Sequence, residues 1–116
     1  LPTNLYDYAY ELEKALRTSQ EYLHLKTMYD NVNSDPAAKK LFDEFRQIQM
    51  MLQEKQMTGQ EIGPQEVQKA QNIAAVVQQN EKIVKLMDAE QHMSMAINEL
   101  NKIIMKPLDE IYGPMR

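Results

Sequence analysis

The sequence has no cysteine and no tryptophan, only three glycines in 116 residues, and 7% aromatic side chains. The missing thiols exclude disulfides, thiolate nucleophiles, Cys-ligated zinc and Cys-ligated iron–sulfur clusters together. So few glycines leave little material for phosphate-cradling loops, and neither a serine nucleophile elbow nor a His-Glu zinc motif occurs. Strand-like alternation is missing, and no repeat of about 20–50 residues recurs. No apolar run approaches the roughly 20 residues that span a bilayer, since Lys102 and Lys106 flank the most apolar part of the chain, so no membrane partner is expected. No basic-then-apolar leader opens the sequence, and a cytoplasmic location is the expectation.

Positive charge is also scarce. The net charge is −4. Nucleic-acid binding draws much of its affinity from clustered Lys and Arg on phosphates, whereas here Lys26, Arg46 and Lys55 lie on separate turns and only Lys39 and Lys40 adjoin. These residues read as a solvated helix surface, and no nucleic-acid partner is expected. What is present in quantity is helix-spaced apolar residues. At 43% hydrophobic and 26% charged, the composition is neither disordered nor membranous, and the length fits one all-helical domain over residues 1–116.

The longest apolar row runs through Ile83, Leu86, Met93, Ile97, Leu100, Ile104, Leu108 and Ile111, one face of a long helix broken only by Glu90. Upstream lie shorter amphipathic segments. Asn4 is placed to cap a first helix carrying Leu5, Ala9, Leu12 and Leu16, with Asp7 in its first turn. At Thr18 and Ser19 the pattern weakens, and a kink or restart is expected, with Ser19 capping a second helix that carries Tyr22, Leu23, Leu25, Tyr29 and Val32. Asp35 and Pro36 start a third, because proline has no N–H to lose at a first helical position and Asp35 offers a capping oxygen. Its core face reads Leu41, Phe45, Ile48 and Leu52, widened by Phe42 and Met51.

Thr58, Gly59 and Gly63 stop that helix, and Pro64 opens a fourth with Glu66 in the first turn. The short connection predicts antiparallel neighbours. Val67, Ala70, Ile73, Ala74 and Val77 line its apolar side. No strong breaker separates it from the long helix, so a bend at Asn80 is expected. The long helix is expected to close near Lys106 and Pro107, where the ring disrupts a helical hydrogen bond, and to finish by Tyr112, Gly113 and Pro114.

Leu5-Tyr6-Asp7, Ala9, Glu11-Leu12, Ser19 with Tyr22, Asp35 ahead of Leu41 and Phe45, and Ala89-Glu90 together resemble the YlbF/YmcA/YheA family of small bacterial helical proteins, most of all its YheA branch. The resemblance covers about Asn4 to Gly113. It implies a cytoplasmic, self-associating protein of Gram-positive bacteria without known enzymatic activity. Some members act as accessory factors in competence, sporulation and biofilm development, partly through a complex that assists an RNA-degrading enzyme. Those members carry cysteines linked to iron–sulfur clusters; this chain has none, and that chemistry is out of its reach.

Three groups of polar or soft residues need a role. Glu21 and His24 form a Glu-x-x-His pair, the spacing that di-iron helical bundles use on one helix face. A second such pair is missing, because Ala89 stands three residues before His92, and Asp88 with His92 reads as an i, i+4 surface pair. Glu90 must be paired, protonated or placed where its row leaves the core. The leading reading is a structural hydrogen bond or ion pair, to a tyrosine such as Tyr22 or Tyr29; an interface edge and a ligand contact are the others. Met93 reads as core, whereas Met50, Met57 and Met95 lie off the main stripes and are candidates for an adaptable second surface.

The reading is an all-α antiparallel bundle of about five helices with one long C-terminal helix, a non-enzymatic interaction protein without cofactor. A metal-dependent bundle enzyme or metal carrier on Glu21 and His24 is the alternative. Self-association follows from length. A helix from Glu81 to Ile111 is about 45 Å long at 1.5 Å per residue, while a domain of this size is roughly 35 Å across. The overhang leaves an apolar row bare, and a second copy is its simplest cover. Met93, Ile97, Leu100, Ile104, Leu108 and Ile111 are therefore the expected interface, with other protein partners open.

Overall fold

A computed structural model describes residues 4–113, and in it five helices follow one another: α1 Leu5–Arg17, α2 Gln20–Asn33, α3 Pro36–Thr58, α4 Pro64–Gln78 and α5 Glu81–Tyr112. The fold is all-α with a long C-terminal helix, as expected. Four of the five helix starts are fixed by a short polar side chain just before the helix, and α4 by Glu66 from within its first turn, because the first turn of any helix leaves amide donors without intrahelical acceptors. The Tyr6 amide donates to Asn4 Oδ1 at 2.9 Å. At the next joint one hydroxyl works twice: Ser19 Oγ donates to the Leu16 carbonyl at 2.6 Å, closing α1, and accepts from the Tyr22 amide at 3.2 Å, opening α2. The expected kink or restart is thus a restart.

Asp35 carries the start of α3. Its Oδ1 accepts from the Ala37 and Ala38 amides at 3.1 and 3.2 Å, and its Oδ2 accepts from Lys82 Nζ of α5 at 3.2 Å. Pro36 is the first helical residue, where the sequence placed it. At the other end Gly59 adopts φ 73°, the left-handed conformation that closes a helix without a Cβ penalty. The turn into α4 is clasped by one carboxylate: Glu66 Oε1 accepts from the Gly63 amide at 3.2 Å, and Glu66 Oε2 accepts from Lys55 Nζ at the end of α3. α3 and α4 pack against each other across this short connection.

Two expectations about boundaries are corrected. The bend at Asn80 is a break, since α4 ends at Gln78 and Asn80 Oδ1 accepts from the Ile83 amide at 3.1 Å. A side-chain amide that can cap is enough to start a new helix where no glycine or proline stands. Pro107, expected to close the last helix, lies inside α5, which continues to Tyr112. Proline removes one bond, to the carbonyl of Ile103; that residue is exposed, so water can satisfy the freed oxygen. Pro114 lies outside the described residues.

The residues divide into two compact units, one comprising 1–25 and 88–116, the other 26–87. The second holds most of the core. Val32, Ala38, Phe42, Ile48, Val77, Ile83 and Leu86 are buried there, and Arg46 lays its guanidinium over the Phe42 ring at 4.8 Å. Phe42 rather than Phe45 is the buried phenylalanine of α3, and Met51 is exposed. Along α2 the inward residues are Tyr22, Leu25, Met28 and Val32, while Leu23 and Tyr29 face outward. On α4 only Val77 is buried, with Ala70, Ile73 and Ala74 half-buried and Val67 exposed. In the first unit Ala89 is the only fully buried side chain among the described residues.

Ile83 and Leu86 are 0% exposed. Truncating either to alanine is expected to cost about 2–5 kcal/mol by chemical denaturation, whereas Ile104→Ala, on the same row, is expected to change stability by about 0.5 kcal/mol or less. Equal losses at the three positions would place Ile104 in a core.

The Lys55 ammonium first, then the Gly63 amide, holds the Glu66 carboxyl below its ordinary value of 4.5. A carboxyl depressed in the folded state stabilises above its unfolded value and loses that contribution as pH falls through the folded one. Melting temperature is therefore expected to fall below about pH 4.5 in the wild type, and Glu66→Gln to start lower at neutral pH and fall less steeply over that range. Parallel curves for the two proteins would remove Glu66 from the acid response.

Candidate interaction surface

The apolar row of α5 loses its cover as it proceeds. After Ile83, Leu86 and Ala89, buried, come Glu90, Met93, Ile97 and Leu100, half-buried, and then Ile104, Leu108 and Ile111, which are 61, 42 and 71% exposed. The last seven lie on the same side of the helix as the first three by helical period. The sequence drew this row as continuous, and the structure shows where its cover ends.

α1 carries a matching gradient. Leu5, Tyr8, Leu12, Ala15 and Leu16 fall on one side of it, and their exposure runs from 83% at Leu5 through 63% at Tyr8 to 38% at Leu12, with Leu16 half-buried. Leu12, Ala15 and Leu16 share a cavity of about 280 Å³ with Ala96, Leu100 and Ile103 of α5. The start of α2 meets α5 lower down, between His92 and Glu99. Running back from Ser19 to Leu5, the chain therefore follows α5 toward its C-terminus. The exposed ends of both rows lie toward the same end of this unit. Leu12 stood in the sequence row for α1, but nothing in the sequence marked its outer end as open, and Tyr8 went unnoticed because it reads as a surface tyrosine.

The polar candidates lie elsewhere on the same unit. Gln20, Glu21, Leu23 and His24 of α2 line a groove of about 670 Å³ with His92, Met95, Ala96 and Glu99 of α5. Both histidines of the chain thus face one groove. Glu21 and His24 were singled out by spacing; Glu99 was not, since only folding brings it alongside. Among the described residues no group of three or more histidine or acidic side chains is arranged to hold a metal ion. His92 Nδ1 lies 3.6 Å from Asp88 Oδ2, both well exposed, as expected of a surface pair.

A second groove of about 790 Å³ runs between α3 and α4, floored by Leu41, Ile48, Ile73 and Val76 and rimmed by Gln47, Gln65, Gln68 and Asn72. Met50 and Met57 are exposed on α3 but do not line it, while Met95 lines the histidine groove. Among the described residues no helix is long and apolar enough to cross a membrane.

Comparison with known proteins agrees with this architecture. The sequence profile of the family described as control of competence regulator ComK, YlbF/YmcA, matches residues 5–109. A UPF0342 protein of Bacillus licheniformis is 61% identical over 113 residues, 97% of each chain. The solved structure of yheA from Bacillus subtilis is 50% identical with a TM-score of 0.74, covering 95% of this chain and 100% of that one. Bacillus subtilis RicA, solved in complex with RicF, shares the fold at 19% identity and a TM-score of 0.68, over 93% of this chain and 96% of that one.

Proposed function

The chain belongs to the YlbF/YmcA family, and from that premise we propose that it is a non-enzymatic interaction protein, acting as one all-helical domain in the cytoplasm, whose first partner is a second copy of itself. One observation carries this reading: the row on α5 that is fully buried at Ile83 is largely bare at Ile104 and Ile111. Apolar residues that continue a core row past the end of its cover cost solvation free energy in water, about 25 cal/mol for each Å² left wet. A matching surface on a second chain removes that cost. Met93, Ile97, Leu100, Ile104, Leu108 and Ile111 form the interface in this reading, the first three at its shaded edge and the last three at its centre.

The setting we propose is regulatory, accessory to competence, sporulation or biofilm control, which the family's description supports in its first part. RicA, of the same fold, is held in a complex with RicF; an analogous protein partner is the natural second ligand for this chain.

Light scattering tests the reading directly. The wild type is expected to run as a dimer or larger at micromolar concentration, and Ile104→Asp with Leu108→Asp to shift it toward monomer or aggregate. A stable wild-type monomer of 13.6 kDa overturns the proposal.

Glu90, half-buried in this row, is assigned a structural role. Removing its carboxylate leaves its partner unsatisfied, so Glu90→Ala is expected to destabilise by about 1–3 kcal/mol. Thermal melts showing no loss, or a gain, would move Glu90 from structure to recognition.

A further inference from the structure

We propose that His24 of α2 with His92 and Met95 of α5 form a binding site for one Cu(I) ion, at one end of the groove of about 670 Å³ between these helices. All three residues belong to one compact unit and none stands in the exposed apolar row of α5, so the site is independent of the self-association reading.

Two neighbouring cavities place the three residues. Glu21, Ala96 and Glu99 border both the histidine groove and the smaller cavity beside Leu12 and Leu16 of α1, so they mark the end of the groove nearest α1. His24, His92 and Met95 border the groove alone, toward its other end. The chain from Leu12 to His24 meets α5 at successively earlier residues, from Ile103 back to His92, so the two paths run in opposite directions. His24 and His92, the only histidines in the chain, are therefore level across the groove. Met95, three residues after His92, is its neighbour on one face of α5. Asp88 Oδ2, on the turn before, lies 3.6 Å from His92 Nδ1. A carboxylate beside one ring nitrogen favours the N–H there and leaves the lone pair on Nε2, the arrangement that orients a metal-binding imidazole.

The donor set selects the ion. Thioether sulfur is a soft ligand that favours Cu(I), and imidazole suits copper as well. Zn(II) asks for a tetrahedron of histidine, thiolate or carboxylate donors; the chain has no cysteine, and among the described residues no three histidine or acidic side chains are so arranged. A closed-shell Cu(I) ion is held by the smaller, softer set that the groove does offer. Charge agrees with a cation, since Glu21 and Glu99 line the groove and, among the described residues, no lysine or arginine does. Leu23 and Ala96 add apolar surface from each helix.

Titration of the full chain with Cu(I) in the absence of oxygen, in competition with the coloured bicinchoninate complex, tests the site. The wild type is expected to take up one Cu(I) per chain. His24→Gln and His92→Gln are each expected to weaken binding by about 100-fold or more, beyond the roughly 10-fold expected of Asp88→Asn, which orients a ligand without being one. Met95→Leu, of similar volume, is expected to weaken binding and to remove the sulfur donor from the copper X-ray absorption spectrum, whereas Met105→Leu, farther along the same helix, is expected to do neither. Circular dichroism checks that each variant keeps its helix content. No uptake by the wild type, full-strength uptake by either histidine variant, a wild-type spectrum with nitrogen donors alone, or displacement of Cu(I) by an equal concentration of Zn(II) would overturn the proposal. A wild-type monomer that binds Cu(I) through these residues would support it while the self-association reading fell.

Discussion

A helix of 32 residues is about 48 Å long, and its buried side needs a cover of equal length. That requirement governs the rest of the chain. Each of the other four helices is shorter than α5, from 13 residues in α1 to 23 in α3. Burial is complete at Ile83 and Leu86, partial through Met93 and Leu100, and slight at Ile104 and Ile111. The small side chains Ala38 and Ala89, both buried, fit the same economy of space, because a short residue admits a neighbouring backbone where a leucine would hold it off. Apolar side chains left over at one end are then a property of the chain's length distribution and not of any single residue.

Between the helices there is little slack. Two residues separate α1 from α2, two separate α2 from α3, and two separate α4 from α5. At each of these joints a side-chain oxygen accepts from an amide in the first turn of the next helix: the Ser19 hydroxyl, the Asp35 carboxylate and the Asn80 amide. Asp35 and Glu66 each engage two partners with two oxygens, a helix start with one and a lysine from another helix with the other. The Ala38 amide, then Lys82, lowers the Asp35 carboxyl as Lys55 and Gly63 lower Glu66. Local capping and contact between helices thus rest on the same carboxylates.

Capping was legible in the sequence because it is chemistry between neighbours. Asn4, Ser19, Asp35 with Pro36, and Pro64 with Glu66 mark their helix starts within a few residues. Asn80 was harder, since an amide inside a polar Gln-Gln-Asn stretch is equally at home on a helix surface. Pro107 was misleading for the opposite reason: its covalent geometry argues for an end, yet an exposed turn tolerates one missing hydrogen bond. Phe42 and Phe45 share a stripe, and only the neighbours that arrive from other helices decide which is buried. The same limit applies to the surface. Spacing found Glu21 and His24, but folding placed Glu99 and His92 beside them. The row on α5 was visible along its whole length, and the point at which its cover stops was not.

The passage of α5 through Pro107 without interruption gives this surface a particular genetic fragility. A helix advances about 100° per residue, so one residue inserted or deleted between Ala89 and Leu100 would swing Ile104, Leu108 and Ile111 by that angle relative to Ala89, with no joint in between to absorb it. Point substitutions along this stretch alter one side chain each. A single-codon change in length re-aims every residue beyond it, so lineages that share the surface should vary freely in composition along α5 while changing its length, if at all, in steps close to whole turns.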